Sequence, residues 1–303
     1  MSDGKGDEAY NISCCASCGI AEIDDVKLKD CDACDLVRYC SDECQRDHIS
    51  CHSLPCKKRA AELRDEILFK QPESTHLGDC PICCLPLPLD IEQCNTKTVR
   101  YSCCSKTLCT GCYYGDAMQQ PDVLQRRCPF CRSGEESDRY RMKRLEANDP
   151  VALRDEGLKQ YNGGDYRSAF QWYTKAAQLG DVDAHYQLSI LYAEGLGVEK
   201  DREKEIYHRE EAAICGHFAA RHNLGCDEYN NNRNAERAAK HFIIASAQGN
   251  DGSIKLLMEL FKRGDVEKDI LAAALRAHQA AVDATKSSQR EAGEEYIRNL
   301  FNA

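Results

Sequence analysis

The sequence predicts a multidomain protein, in which two small cysteine-rich modules with little regular structure precede an all-α solenoid of helical repeats. Nineteen of the 21 cysteines lie between Cys14 and Cys131, and a repeat of 33 to 36 residues runs through the chain after Pro150. A chain of 303 residues is also too long for one compact core and suits two or three domains.

Composition limits the compartment and the partners. Residues 1–13 are polar and lack the apolar run of a signal peptide, so we expect a disordered leader there. No apolar run is long enough to span a membrane. A cysteine-rich chain in a reducing compartment uses its thiols for metal, which predicts zinc and a cytoplasmic or nuclear location. The net charge of −10 argues against nucleic acid as a main partner.

The first cluster, within residues 14–56, has the spacing of paired metal ligands. A two-residue gap lets a tight turn aim both sulfurs at one metal, and four pairs supply two tetrahedral sites. The pairs are Cys15 with Cys18, Cys31 with Cys34, Cys40 with Cys44, and His52 with Cys56. This spacing, with Tyr39-Cys40-Ser41 and Cys44-Gln45 inside it, resembles the MYND zinc finger over the full length of the finger.

The resemblance implies a cross-braced module in which the pairs interleave. One zinc would be held by Cys15, Cys18, Cys40 and Cys44, and the other by Cys31, Cys34, His52 and Cys56. Such bracing ties distant segments together in a module too small for a proper core. MYND fingers bind short proline-containing peptides and perform no chemistry, so the resemblance implies a protein or peptide partner.

The sequence departs from the MYND pattern in the helix between Cys44 and His52. MYND fingers commonly carry a tryptophan there, whereas this segment reads Gln45-Arg46-Asp47-His48-Ile49 and the one tryptophan of the chain is Trp172. The aromatic wall that grips a peptide is therefore missing or replaced. Three donors are left over, and we expect them to be surface or packing residues unless Cys14 or Cys51 replaces its neighbour as a ligand. They are Cys14, His48 and Cys51.

The second cluster, residues 80–131, resembles a RING finger at three of its four ligand pairs. At the second pair a RING finger has Cys-x-His, but the matching positions here are Cys104-Ser105-Lys106. A protonated lysine is a poor zinc ligand, so another donor is needed. Cys103 is adjacent, and Cys94 is the rival candidate. With Cys103, one site comprises Cys80, Cys83, Cys109 and Cys112, and the other comprises Cys103, Cys104, Cys128 and Cys131.

The RING resemblance implies a further function. RING ubiquitin ligases dock a ubiquitin-conjugating enzyme and hold its charged ubiquitin in a reactive pose, which is catalysis by positioning. Ile82 and Pro129 match the apolar docking residues, and Arg132 matches an arginine that bridges enzyme and ubiquitin. Together the two modules predict about four zinc ions per chain.

Repeats occupy residues 150–286. The segment beginning Ala176-Ala177 recurs at Ala212-Ala213, at Ala245 and, more weakly, at Ala280. A period in the mid-thirties is typical of an α-solenoid with two helices per unit. The second unit resembles the Sel-one-like repeat, a relative of the tetratricopeptide repeat. Stacked repeats of this kind form a curved surface that usually binds proteins or peptides.

Three segments connect or follow these domains. Residues 57–79 are predicted to form a helix over Lys57–Lys70 and then a linker, because Gln71-Pro72 stops the helix. Residues 132–149 are a charged linker that is partly helical, and residues 287–303 are a C-terminal tail that is partly helical.

Two functions fit this organisation. The first is a zinc-binding adaptor or scaffold whose MYND module and repeats hold partner proteins. The alternative is a RING-type ubiquitin ligase that places a charged conjugating enzyme beside a substrate bound by the repeats. The two hypotheses differ in their predictions for Ile82 and Arg132.

Overall fold

The computed structural model describes residues 15–17, 27–32, 37–89, 97–120, 127–133, 137–231 and 233–301. The predicted leader, residues 1–13, lies outside the described residues. The chain divides into two compact units, Met1–Lys70 and Gln71–Ala303. None of the described helices is long and apolar enough to cross a membrane.

The first unit combines a minimal hairpin with one long helix. Strands β1 (Lys29–Asp30) and β2 (Arg38–Tyr39) pair antiparallel, with Lys29 opposite Tyr39. Helix α1 spans Asp42–Leu68. The buried core of the first unit is small, and half of its residues are cysteines. The core residues are Cys15, Leu28, Cys31 and Tyr39.

Helix α1 begins earlier than the predicted start at Lys57. The hydroxyl of Ser41 accepts a hydrogen bond from the amide N–H of Cys44 at 3.2 Å, which caps the helix start. Asp42 and Glu43 in the first turn also favour a start there, since carboxylates stabilise the positive end of the helix dipole. The helix therefore carries predicted ligands of the first module.

The second unit begins with the second cysteine-rich module. Strands β3 (Thr98–Arg100) and β4 (Thr107–Cys109) form an antiparallel hairpin, and helix α2 (Thr110–Gln119) follows directly. Cys109 caps α2, because its sulfur accepts from the Cys112 amide. The core of the module is Cys80, Leu87, Leu108, Cys109 and Cys112. Helix α3 (Ser137–Glu146) occupies much of the predicted charged linker.

The repeat region is all-α, as predicted, and consecutive helices pack against one another. Asp or Asn side chains cap most of these helices by accepting from backbone N–H groups. Alanines such as Ala176 and Ala212 are fully buried, so the helices approach closely. The helices are α4 (Pro150–Asn162), α5 (Tyr166–Gln178), α6 (Val182–Glu194), α7 (Arg202–Ile214), α8 (Phe218–Asn230), α9 (Ala235–Ala247), α10 (Asp251–Lys262) and α11 (Lys268–Ala284).

The segment predicted as a C-terminal tail forms helix α12 (Ser288–Phe301) and packs against α2 of the cysteine-rich module. Glycines allow the two backbones to meet. A Cβ atom on Gly293 would lie 2.5 Å from the backbone of Thr110, and one on Gly111 would lie 2.8 Å from the backbone of Arg290. The sequence did not reveal this contact, because it joins helices that are nearly two hundred residues apart.

Packing of the repeats predicts a stability effect at Gly225. A Cβ atom there would lie 2.5 Å from the ring of Phe242, which is fully buried. We expect Gly225→Ala to lower the free energy of unfolding by about 1–3 kcal/mol, because overpacking forces a buried ring to move. Denaturant unfolding followed by circular dichroism measures this change.

The matched control is Gly163→Ala. Gly163 has right-handed backbone geometry, with φ −78°, and its closest neighbours would lie at 3.4 Å from an added Cβ. Alanine fits this site, so little change is expected. Equal losses in the two variants would contradict the packing account.

Candidate metal centres

The first unit brings together six of the eight predicted ligands in two groups. The sulfurs of Cys15, Cys40 and Cys44 lie within 4.8 Å of one another. The donors of Cys31, His52 and Cys56 do the same. Cys18 and Cys34, the predicted fourth member of each set, lie outside the described residues. The grouping is interleaved along the chain, as the cross-brace requires.

Local structure explains how these donors converge. Cys40 ends the hairpin and Cys44 lies in the first turn of α1, with the two sulfurs 3.6 Å apart. His52 and Cys56 lie four residues apart on α1, and residues at this spacing share one helix face. Cys31 Sγ, at the other end of the hairpin, lies 3.8 Å from Cys56 Sγ. One helix therefore supplies donors to both groups.

Of the three leftover donors of the first cluster, the structure describes the side chain of His48. His48 Nδ1 lies 3.1 Å from the hydroxyl of Tyr39, and its ring stacks on that of His52. His48 therefore packs beside a ligand and belongs to neither donor group. Cys14 and the side chain of Cys51 lie outside what the structure describes, so their substitution for a neighbour stays a prediction.

The second unit forms two complete groups of four thiols. One comprises Cys80, Cys83, Cys109 and Cys112, and the other comprises Cys103, Cys104, Cys128 and Cys131. A zinc tetrahedron with zinc–sulfur distances of about 2.3 Å has sulfur–sulfur edges of about 3.8 Å. The observed distances are 3.8 Å for Cys83–Cys109, 3.6 Å for Cys104–Cys128 and 3.5 Å for Cys103–Cys131. Both groups fit zinc in donor type and spacing.

The backbone shows why Cys104 lies among these donors. Three turns have the same form. The residue after a cysteine has a left-handed backbone conformation, and its N–H donates a hydrogen bond to the carbonyl oxygen four residues earlier. These backbone hydrogen bonds run from Cys84 N–H to the Cys80 carbonyl, from Arg132 N–H to the Cys128 carbonyl, and from Ser105 N–H to the Tyr101 carbonyl. Tyr101 thus stands where the first cysteine of the other two turns stands. Cys103, inside the third turn, supplies the second sulfur.

Two thiols of the second cluster remain, Cys84 and Cys94, and the structure describes the first of them. Cys84 is exposed and belongs to neither group of four. The rival ligand, Cys94, lies outside the described residues. Lys106, which stands in the position of the RING histidine, is exposed.

A third group of donors joins the loop before Cys80 to the repeats. His76 Nε2 lies 3.1 Å, and His217 Nε2 lies 3.4 Å, from Asp183 Oδ1. The Nδ1 atom of His217 accepts from the N–H of Ala220 at 3.0 Å, so a neutral His217 carries its proton on Nε2, facing Asp183. The guanidinium of Arg154 also pairs with Asp183. These contacts describe a hydrogen-bonded ion cluster rather than a metal site.

The cluster sets the charge states of its members. Burial alone would raise the pKa of Asp183, but hydrogen bonds from His217 and His76 and the charge of Arg154 hold that pKa well below its usual value. Burial lowers the pKa of His217. Sequence analysis alone does not bring His76, Asp183 and His217 together. Their partners are distant in sequence, so no local spacing marks them.

The depressed pKa of His217 predicts a pH dependence. In the unfolded chain a histidine takes up a proton near pH 6.5, whereas folded His217 stays neutral to lower pH, so its contribution to stability falls as the pH drops below about 7. His217→Asn keeps an N-cap acceptor and removes the titration. The slope of unfolding free energy against pH, measured by urea unfolding between pH 5 and 7, should decrease by up to about 1.4 kcal/mol per pH unit. An unchanged slope would contradict this assignment.

The thiol geometry predicts zinc content. Cys103→Ala should lose one zinc ion of the roughly four expected per chain, because its site would keep three donors, while Cys84→Ala should lose none. Elemental analysis of purified, reduced protein measures this. Loss of zinc in Cys94→Ala, with full retention in Cys103→Ala, would assign the fourth ligand to Cys94.

Comparison with known families covers the finger and the repeats. Residues 15–56 match the MYND finger family, and residues 154–181, 182–217 and 219–250 each match the Sel1 repeat. These matches do not extend to residues 80–131, so the likeness to a RING finger rests on its cysteines and stays a prediction. A search of curated proteins found no significant match.

Two solved structures show a distant similarity to this chain, each with a low sequence identity and a TM-score below 0.5. A Sel1 repeat protein from Oxalobacter formigenes is 19% identical with a TM-score of 0.41, over 59% of this chain and 74% of that one. The protective antigen c5321 of uropathogenic Escherichia coli strains, which displays an SLR fold, is 20% identical with a TM-score of 0.40, over 63% of this chain and 41% of that one. The predicted MYND finger and Sel1 repeats are thus confirmed: this chain carries a zinc-binding MYND finger followed by Sel1 repeats.

Proposed function

We propose that this protein is an adaptor in which zinc organises the N-terminal modules and the repeats hold a partner protein. MYND fingers and Sel1 repeats are both protein-interaction modules, and each matches a separate part of the chain. The proposal rests mainly on the surface of the repeats, since the finger lacks the tryptophan of the usual peptide groove.

The observation that carries the proposal is an open cleft of about 590 Å³ along the repeats. It is lined mainly by repeat helices, with Leu158 of α4, Tyr173 of α5, Tyr186 and Gln187 of α6, Phe218 of α8, and Asn250 at the start of α10. Arg100 of β3 and the charged cluster of Arg154, Asp183 and His217 also line it. Aromatic rings next to amide side chains suit an extended peptide, whose apolar side chains and backbone groups both need partners.

The ligase function is the second candidate. Ile82 is 47% exposed in the loop between Cys80 and Cys83, although large apolar side chains are usually buried. Arg132 is also exposed, and Pro129 is partly buried. Accessibility of these side chains is what docking of a conjugating enzyme requires. The left-handed turn after Cys131 accounts equally for the position of Arg132.

Partner capture tests the adaptor proposal. The full-length chain, expressed with a tag in its own cells, should retain a reproducible set of proteins identified by mass spectrometry. Gln187→Arg places a charge in the cleft without changing a core residue, because Gln187 is only partly buried. We expect recovery of the partners held by the repeats to fall about tenfold, which corresponds to roughly 1.4 kcal/mol.

Glu259→Gln is the control for this experiment, because Glu259 is exposed on α10 and does not line the cleft. It should retain the partners. The same partner set in wild type and Gln187→Arg would contradict binding in the cleft. Self-ubiquitination with a panel of conjugating enzymes, abolished by Ile82→Ala and by Arg132→Ala, would instead favour the ligase.

A further inference from the structure

Arg290 of α12 is a buried cation beside a thiol group. Only 3% of its surface is exposed. One end of its guanidinium, Nη1, donates to the carbonyl oxygens of Pro86 at 2.7 Å and Thr285 at 2.8 Å. The other end, Nη2, donates to the Leu85 carbonyl oxygen at 3.1 Å and approaches Cys83 Sγ at 3.4 Å. Arg290 therefore contacts the loop that presents Cys83.

These contacts engage both Nη atoms of the guanidinium, whereas its Nε has no hydrogen-bond partner among the described residues, and they leave the charge to be balanced. A buried charge costs free energy unless an opposite charge compensates for it. The carbonyl groups are neutral, and the ionisable group within reach of Nη2 is the Cys83 thiol, at 3.4 Å. Zinc bound by four cysteines carries a net negative charge, because four thiolates outweigh one divalent cation. The loaded thiol group therefore supplies the missing counter-charge.

Helix α12 contacts both of the segments that carry the thiol group. Gln289 Nε2 donates to the carbonyl oxygen of Gly111 at 3.1 Å, and Gly293 meets Thr110. Thr110 and Gly111 lie between Cys109 and Cys112, two of the four donors. The neighbouring Arg290 reaches the loop that carries the other two donors. One turn of α12 thus connects the two segments that must stay together to hold a metal.

We propose that Arg290 is a positioning residue for the zinc site formed by Cys80, Cys83, Cys109 and Cys112. It balances the thiolate charge and fixes the loop from Cys83 to Pro86, so that zinc binding and docking of α12 stabilise each other. The C-terminal helix is then an outer part of this metal site. This inference rests on zinc occupancy of the four thiols and is independent of the adaptor function.

Arginine is specifically suited to this position. Its planar fork reaches acceptors on two sides at once, whereas lysine offers one compact ammonium group. Arg290→Lys keeps the charge but loses the bridging geometry, and Arg290→Gln loses both. Arg298 is exposed on the same helix, so Arg298→Gln removes a charge from α12 without touching the site.

Zinc release from the full-length, reduced chain tests the proposal. A chromophoric chelator in excess reports the rate at which each zinc leaves. We expect one zinc ion per chain to leave about 10 to 100 times faster in Arg290→Gln, the usual range for loss of an outer-shell partner. Arg290→Lys should be intermediate, and Arg298→Gln should match wild type. In cobalt-substituted protein, the thiolate-to-metal absorption of one site should shift in Arg290→Gln alone.

Hydrogen exchange on the same proteins tests the coupling in the other direction. Cys80→Ser, which removes one donor, should lose amide protection in α12 although Arg290 is intact. Unchanged zinc release and cobalt absorption in Arg290→Gln would overturn the proposal, even if α12 lost protection, because the contact would then serve packing alone. A zinc content that Cys80→Ser leaves unchanged would overturn zinc occupancy itself and would leave the adaptor proposal standing.

Discussion

Metal binding by thiols that are distant in sequence is the constraint on which both small modules depend. Leu28 and Tyr39 are the buried non-cysteine residues of the first core, and Leu87 and Leu108 are those of the second. Cores of this size cannot offset the entropy of ordering forty or fifty residues. Bound zinc supplies the difference in the MYND finger, and we propose that it does so in the second module, since its binding free energy is available only to the folded arrangement. The ligase function and the role of Arg290 presuppose this metal-bound state, whereas binding of a partner in the repeat cleft does not.

The second unit integrates its thiol module with the repeats. His76 inserts between the module and the helix starts at Asp183 and His217, and α12 returns from the end of the repeats to pack on α2. The module is therefore held at both ends by the solenoid. Attachment at both ends gives a bound partner a defined position relative to the second module, which either proposed function can use. Ion pairs, backbone contacts and the packing of Tyr114 against Tyr296 all contribute to this attachment.

Predictions from spacing were accurate where the chemistry is local. Donor pairs three or four residues apart, and alanine patterns with a period in the mid-thirties, indicate the MYND finger and the Sel1 repeats, because both families repeat short-range geometry. The helix that the MYND resemblance places between Cys44 and His52 and the helix predicted from Lys57 are one continuous helix, α1, which begins after the cap Ser41.

The sequence alone determined which residues can bind metal and where the helical repeats lie, since donor type and periodicity are properties of neighbouring residues. Only the tertiary structure decided which distant groups meet. Cys103 lies beside Cys131, His76 pairs with Asp183, and Arg290 reaches Cys83. Each of these contacts depends on how whole helices and turns are placed. A charged residue or a cysteine in the sequence does not indicate which partner the packing will bring within reach.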